Sequence, residues 1–144
     1  MNSLPRTLSM VWLSITFVGC SGGATNVFPA GGIVRFADGQ LLREGTVEFE
    51  LVGKENAATA TGEIQPDGSF LLGTFAVDDG AIAGKHRVAV IADVPIGTGA
   101  ERPGVIAEAK LDQKYRDFDT SGLEFTVRES SNHFVIEVDY FPLK

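Results

Sequence analysis

Asp117-Phe-Asp119-Thr-Ser121-Gly122 puts side-chain oxygens at alternate positions and a glycine at the sixth, which is how a calcium-binding loop opens. Such a loop closes on a bidentate acid at its twelfth position, and here that residue is Arg128; the eighth position, ordinarily apolar, is Glu124. The run therefore reads as an Asx-rich turn leading into a strand, and no metal is expected on it. His86 and His133 are the only histidines, and neither has a second ligand at a metal-site spacing. His86 shares parity with Val88 and Val90, which places it at the edge of a core, and His133 reads as a turn residue ahead of Phe134. The chain has no Gly-x-Ser-x-Gly elbow, phosphate-cradling glycine loop or His-Glu-x-x-His. No catalytic residue and no cofactor is expected.

The remaining candidate is Cys20, the only cysteine in 144 residues. An intrachain disulfide is ruled out, and a lone thiol in an oxidising compartment is a liability unless it is modified. Ahead of it, Arg6 supplies a weak positive start and residues 8–18 an apolar stretch, too short to span a bilayer but long enough for an export signal. Phe17-Val18-Gly19-Cys20 closes that stretch and resembles the bacterial lipobox, with a large apolar residue three before the cysteine and a small one directly before it. The resemblance implies cleavage after residue 19 and acylation of the Cys20 sulfur, with two or more chains giving stable anchoring. An ordinary signal peptide with an incidental cysteine, or a buried amino-terminal helix, is the alternative. The expected layout is a signal peptide over 1–19, a flexible tether over 20–27 and a domain over 28–144. Ser21 after the cysteine, rather than Asp, points to the outer membrane or the periplasmic face.

Composition narrows the partners. Lys and Arg total 12 against 19 Asp and Glu, a net charge of −7, and losing residues 1–19 removes Arg6 and no acid. So acidic a domain repels phosphate backbones and anionic headgroups, which argues against nucleic acid and leaves a lipid on Cys20 as the route to a membrane. The 17 glycines, and aromatics that are mostly Phe, favour short strands joined by tight turns.

The elements that would position these residues alternate with period two. Val34 and Phe36 flank Arg35; Val47, Phe49 and Leu51 alternate with Glu48 and Glu50; Leu123, Phe125 and Val127 alternate with Glu124, Thr126 and Arg128; Phe134, Ile136 and Val138 alternate with Glu137 and Asp139. Residues 57–64 and Ser69–Phe75 flank Gln65-Pro66-Asp67-Gly68, a hairpin signal. A further strand is expected over 85–93, opened by Gly80 and Gly84. That makes about seven strands and no convincing helical stripe, so the fold class predicted is all-β, a single antiparallel β-sandwich. Residues 94–122 break the rhythm as a long connection with a short helix expected over Val105–Lys114.

The order Gly32-Ile-Val34-Arg-Phe36-Ala-Asp38-Gly39, Gly45-Thr-Val-Glu-Phe49, Thr61-Gly-Glu-Ile-Gln-Pro-Asp67-Gly68-Ser-Phe70, Gly84-Lys-His-Arg-Val88-Ala-Val90 and Lys114-Tyr115 to Ser121-Gly-Leu123 resembles the carboxypeptidase-regulatory-like, transthyretin-like sandwich domain of small bacterial lipoproteins. The resemblance covers about residues 30–139. It implies a transthyretin-like or immunoglobulin-like sandwich in a cell-envelope setting, usually without an activity of its own, and an aromatic slot at His86. Ring-cleaving dioxygenases of related architecture hold iron with two tyrosines and two histidines, and Tyr115, Tyr140, His86 and His133 match that inventory, but the histidines are far apart in the chain. Transthyretin-related hydrolases end in Tyr-Arg-Gly-Ser, whereas this chain ends Tyr140-Phe-Pro-Leu-Lys144. The expectation is a non-catalytic envelope lipoprotein whose partner is an envelope protein or a glycan. An envelope protein would dock on the 94–122 connection or an edge strand, and the loss of Trp12 with the leader weakens the sugar reading.

Overall fold

A computed structural model of the chain describes residues 26–54, 56, 58–92 and 111–141. Cys20, the 1–19 leader, most of the 20–27 tether, the last residue of the strand expected over 85–93, residues 94–110 of the long connection and the start of the Val105–Lys114 helix lie outside the described residues.

Among the described residues nine strands follow in order: β1 Val27–Phe28, β2 Ala30–Phe36, β3 Thr46–Leu51, β4 Ala60–Glu63, β5 Ser69–Leu71, β6 Ala81–Ile82, β7 Gly84–Ile91, β8 Leu123–Val127 and β9 Asn132–Val138. They form a three-stranded sheet in the order β5-β2-β9, a four-stranded sheet β4-β3-β7-β8, and the short pair β1-β6. The fold is an all-β sandwich. Its seven longer strands are the seven that the alternation predicts, and β1 and β6 are two-residue additions. A 3-10 turn over Gln113–Arg116 is the only helix among the described residues. None of these residues forms a helix long and apolar enough to cross a membrane.

Period-two patterning becomes burial because every second side chain of a strand shares a face. Val34, Phe36, Phe70, Ile136 and Val138 on one sheet face Val47, Phe49, Val88, Val90 and Val127 on the other, all 1 % exposed or less. Phe49 is the hub. Its ring centroid lies 6.4 Å from that of Phe70 and 5.4 Å from that of Phe134 across the sandwich, and 6.1 Å from that of Phe125 on its own sheet. Such offset and tilted contacts suit aromatic quadrupoles.

Two pairings depart from the sequence reading. β9 runs parallel to β2, in register from Ala30↔Asn132 to Phe36↔Val138, whereas every other pairing is antiparallel. The reason is the route of the chain: β8 ends on one sheet at Val127, Arg128–Ser131 cross over, and β9 enters the other sheet at the end where β2 also begins. Asn132 fixes this crossing, its side-chain amide accepting from Arg128 N at 2.8 Å and donating to Ser130 O at 2.6 Å.

The second departure is that β4 and β5 share a turn but not a sheet. The turn itself forms as the Pro-Asp-Gly signal implies. Gly68 N donates to Gln65 O at 2.8 Å, Gly68 has φ +78°, and Asp67 accepts from both the amide and the hydroxyl of Ser69. Beyond it β4 pairs with β3 and β5 with β2, and the two rejoin only at the Thr61–Gly73 bridge. The strand expected over Ser69–Phe75 accordingly ends at Leu71, and residues 74–79 form a loop.

Candidate functional site

Where β4 and β5 part, a cleft of about 760 Å3 opens along the seam between the two sheets. Its floor and walls come from Thr61, Gly62 and Glu63 of β4, Gln65 of the turn, Ser69, Phe70 and Leu71 of β5, and residues 73–78 of the loop. Glycine is required at the seam, since a Cβ on Gly62 would sit 2.5 Å from the Leu71 carbonyl oxygen.

The loop is built around one carboxylate. Asp79 accepts from the backbone N–H of Thr74 at 2.6 Å, of Phe75 at 3.2 Å and of Ala76 at 3.0 Å, and the Thr74 hydroxyl donates to Gly80 O at 2.8 Å. The bond from Thr74 N, with help from the other two, holds the Asp79 carboxyl below the ordinary carboxylate range. Held this way, the loop turns Phe75 and Val77 outward, 61 % and 90 % exposed, beside Leu71 at 59 %. Among the cleft-lining residues are no histidine, cysteine, tyrosine, lysine or arginine. The surface therefore offers hydroxyl, amide and carboxylate groups, Glu63 and Asp78 among them, next to apolar side chains, and it can hold a ligand.

The residues singled out from the sequence lie elsewhere. His86 is 1 % exposed, on the inner face of β7 with Val88 and Val90 as their parity requires. Its Nε2 lies 2.8 Å from Ile82 O, and Nδ1 has no partner among the described residues. His133 is the second residue of β9 rather than a turn residue, and it is exposed on the outer face.

Tyr115 and Tyr140 are at the opposite end of the sandwich, about 20 Å further along β9 at strand rise. Tyr115 donates to Asp139 Oδ2 at 2.8 Å and receives Asp139 N at 3.2 Å, while Lys114 Nζ binds the same carboxylate at 2.8 Å. Burial first, then the Asp139 carboxylate, pushes the Tyr115 phenol up, and Lys114 and Tyr115 hold Asp139 down. Tyr140 stacks on Phe36 with centroids 4.0 Å apart and donates to Asp38 Oδ2 at 3.0 Å. Burial, with that bond, raises its pKa to about 12. Both shifts oppose tyrosinate formation. The four residues of the iron inventory are not brought together.

The calcium-like run folds as an Asx turn. Asp117 Oδ1 accepts from Asp119 N at 2.8 Å, Asp117 O from Ser121 N at 2.9 Å, and Ser121 Oγ from Leu123 N at 3.2 Å. Asp119 pairs with Arg87, which also bonds Glu50 through Nε at 3.1 Å. No cluster of three or more His, Cys, Asp or Glu side chains suited to a metal occurs among the described residues.

Sequence reasoning missed the cleft. Phe75 reads as the end of a strand, although Gly73 before it and Asp78-Asp79-Gly80 after it are the signals that mark a loop there.

No family model, curated protein or solved structure matches this chain.

Proposed function

We propose that this chain is a lipid-anchored, non-catalytic module of a bacterial cell envelope, carrying a transthyretin-like sandwich and acting by contact with another envelope component. The observation that carries the reading is Phe17-Val18-Gly19-Cys20, which ends an apolar leader with the chain's one thiol and stands six residues before the first described residue, Asn26. A domain of this charge has little attraction of its own for anionic headgroups, so a diacylated sulfur supplies the retention. The dispersal of the histidines and tyrosines into separate structural contacts supports a role in binding.

Growing producer cells on a fatty-acid analogue tests the anchor: the wild-type chain takes up the label and Cys20→Ser does not. Equal labelling of the two ends the lipoprotein reading.

A second reading is supported by the cleft itself. Thr61, Glu63, Gln65 and Ser69 beside the exposed ring of Phe75 suit a glycan or cell-wall strand, since hydroxyl-rich ligands take hydrogen bonds at their rims and apolar contact on their faces. Retention of the protein on immobilised cell-wall glycan, lost on Gln65→Ala, is the outcome this reading requires. Retention that survives that change places any glycan site elsewhere.

A further inference from the structure

We propose that the 73–79 loop is a membrane-contacting tip, so placed that Phe75 and Val77 enter the interface of the bilayer carrying the lipid on Cys20. The inference rests on the lipoprotein reading above and adds an orientation to it: one named end of the sandwich faces the bilayer.

Three observations converge on this loop. The first is exposure: a valine 90 % exposed and a phenylalanine 61 % exposed stand two residues apart on one short loop. The second is that the loop is preorganised. Three backbone N–H groups close on the Asp79 carboxylate and the Thr74 hydroxyl closes on Gly80 O, so the backbone that presents the two side chains outward is held in one conformation. Apolar groups held out rigidly lose little freedom when they meet a surface.

The third observation is place. Leu72 and Gly80, the stems of the loop, are joined by Gly80 N to Leu72 O at 2.8 Å, and Leu72 N donates to Ala30 O at 2.8 Å. Gly80 packs against the Phe28 backbone closely enough to exclude a Cβ, and Val27 pairs with Ile82. The loop thus leaves the sandwich where the chain enters it. From Cys20 to Asn26 the chain can extend at most about 21 Å. A lipid on Cys20 therefore keeps this end next to the bilayer and leaves the far end, with its Asp38–Gly39 turn, facing away. The bilayer is favoured over a soluble protein as occupant by that short reach. The loop itself carries Asp78 and Asp79, the latter occupied by three backbone N–H groups, and the neighbouring loops at this end bring Lys54 and Arg128 as well as Glu129, so the tip is not surrounded by acid alone.

The test uses the acylated protein purified from cells and placed in vesicles of phosphatidylethanolamine with a minority of phosphatidylglycerol. After loss of residues 1–19 the chain contains no tryptophan, so Val77→Trp, Phe75→Trp and, at the far end, Ala37→Trp each give a single reporter. The expected result is blue-shifted emission, quenched by brominated lipid, for both loop variants, with water-like emission for Ala37→Trp. Two loop variants guard against one of them misfolding. Water-like emission from all three, in protein that still floats with the vesicles, overturns the tip and leaves the anchor standing. Protein that carries no acyl mass and does not float overturns the lipoprotein reading, and the tip with it. A blue shift of the loop variants that appears without vesicles and grows with protein concentration assigns the tip to a second copy of the chain and overturns the proposal.

Discussion

His86 lies in register between Leu51 and Phe125, with the Phe49 ring 5.8 Å away, and offers the core one satisfied nitrogen and one bare one. The Ile82 carbonyl can only accept, so Nε2 carries a proton, and Nδ1 is buried without a partner among the described residues. A net hydrogen bond contributes about 0.5–1.5 kcal/mol, and a buried unsatisfied polar atom costs about 1–3 kcal/mol. The imidazole is therefore held by its packing and not by its polarity. His86→Leu, which keeps most of the volume and removes Nδ1, is expected to leave stability within about 1 kcal/mol of the parent, while His86→Ala opens a cavity and costs about 2–4 kcal/mol. Urea melts of both variants check this; a leucine as damaging as the alanine shows that the polar atoms matter. Parity with Val88 and Val90 was enough to place His86 on the inner face. The partner of each nitrogen was not legible, because it depends on which residues lie across the sheet and at the strand's end.

At the level of the element, β2 carries the sandwich's one parallel seam and its tightest backbone approach. A Cβ on Gly32 would run into the Phe134 carbonyl of β9, and one on Gly31 would meet the Phe70 carbonyl of β5 at 2.5 Å, so both flanking strands close on a bare backbone. Gly32→Ala must push β9 outward, with an expected cost of about 1–3 kcal/mol, as for other overpacked sites. Gly39→Ala has open space around it and only its positive φ of +87° to oppose it, which costs about 1 kcal/mol. Thermal melts should rank the two in that order, and a Gly32→Ala melt at the parental midpoint would mean that the β2–β9 seam has room for a methyl group beside the Phe134 carbonyl. Strand existence and facing were readable because alternation is local: Phe134, Ile136 and Val138 announce an inner face whatever they pair with. Pairing is not local. Nothing in the β9 residues tells whether they run with β2 or against it, and nothing around Pro66-Asp67-Gly68 tells that β4 and β5 diverge into opposite sheets. The cleft exists only because of that divergence, so it was invisible to any reading strand by strand.

For the molecule as a whole, stability depends on two sheets sharing one apolar layer, and Phe49 is where that dependence concentrates. It is fully buried and its ring meets Phe70, Phe134, Phe125 and His86, so it touches both sheets at once. Truncation to alanine is expected to cost about 3–5 kcal/mol. A domain of this size has about 5–15 kcal/mol in total, so the alanine variant stays folded with a lowered midpoint. Phe49→Asp is different in kind, because a carboxylate there has no partner within the layer, and burying an unpaired charge costs more than the whole margin. That variant is expected to be unfolded at neutral pH by circular dichroism. Val135→Asp is the matched control: it puts the same charge on β9, one strand position from Ile136, but on the outer face where the side chain is 41 % exposed. Its melt should lie within about 0.5 kcal/mol of the parent. The contrast isolates facing from strand propensity, since aspartate is a poor strand former at both positions. Equal damage from the two variants would mean that strand chemistry, rather than the layer between the sheets, holds the protein together.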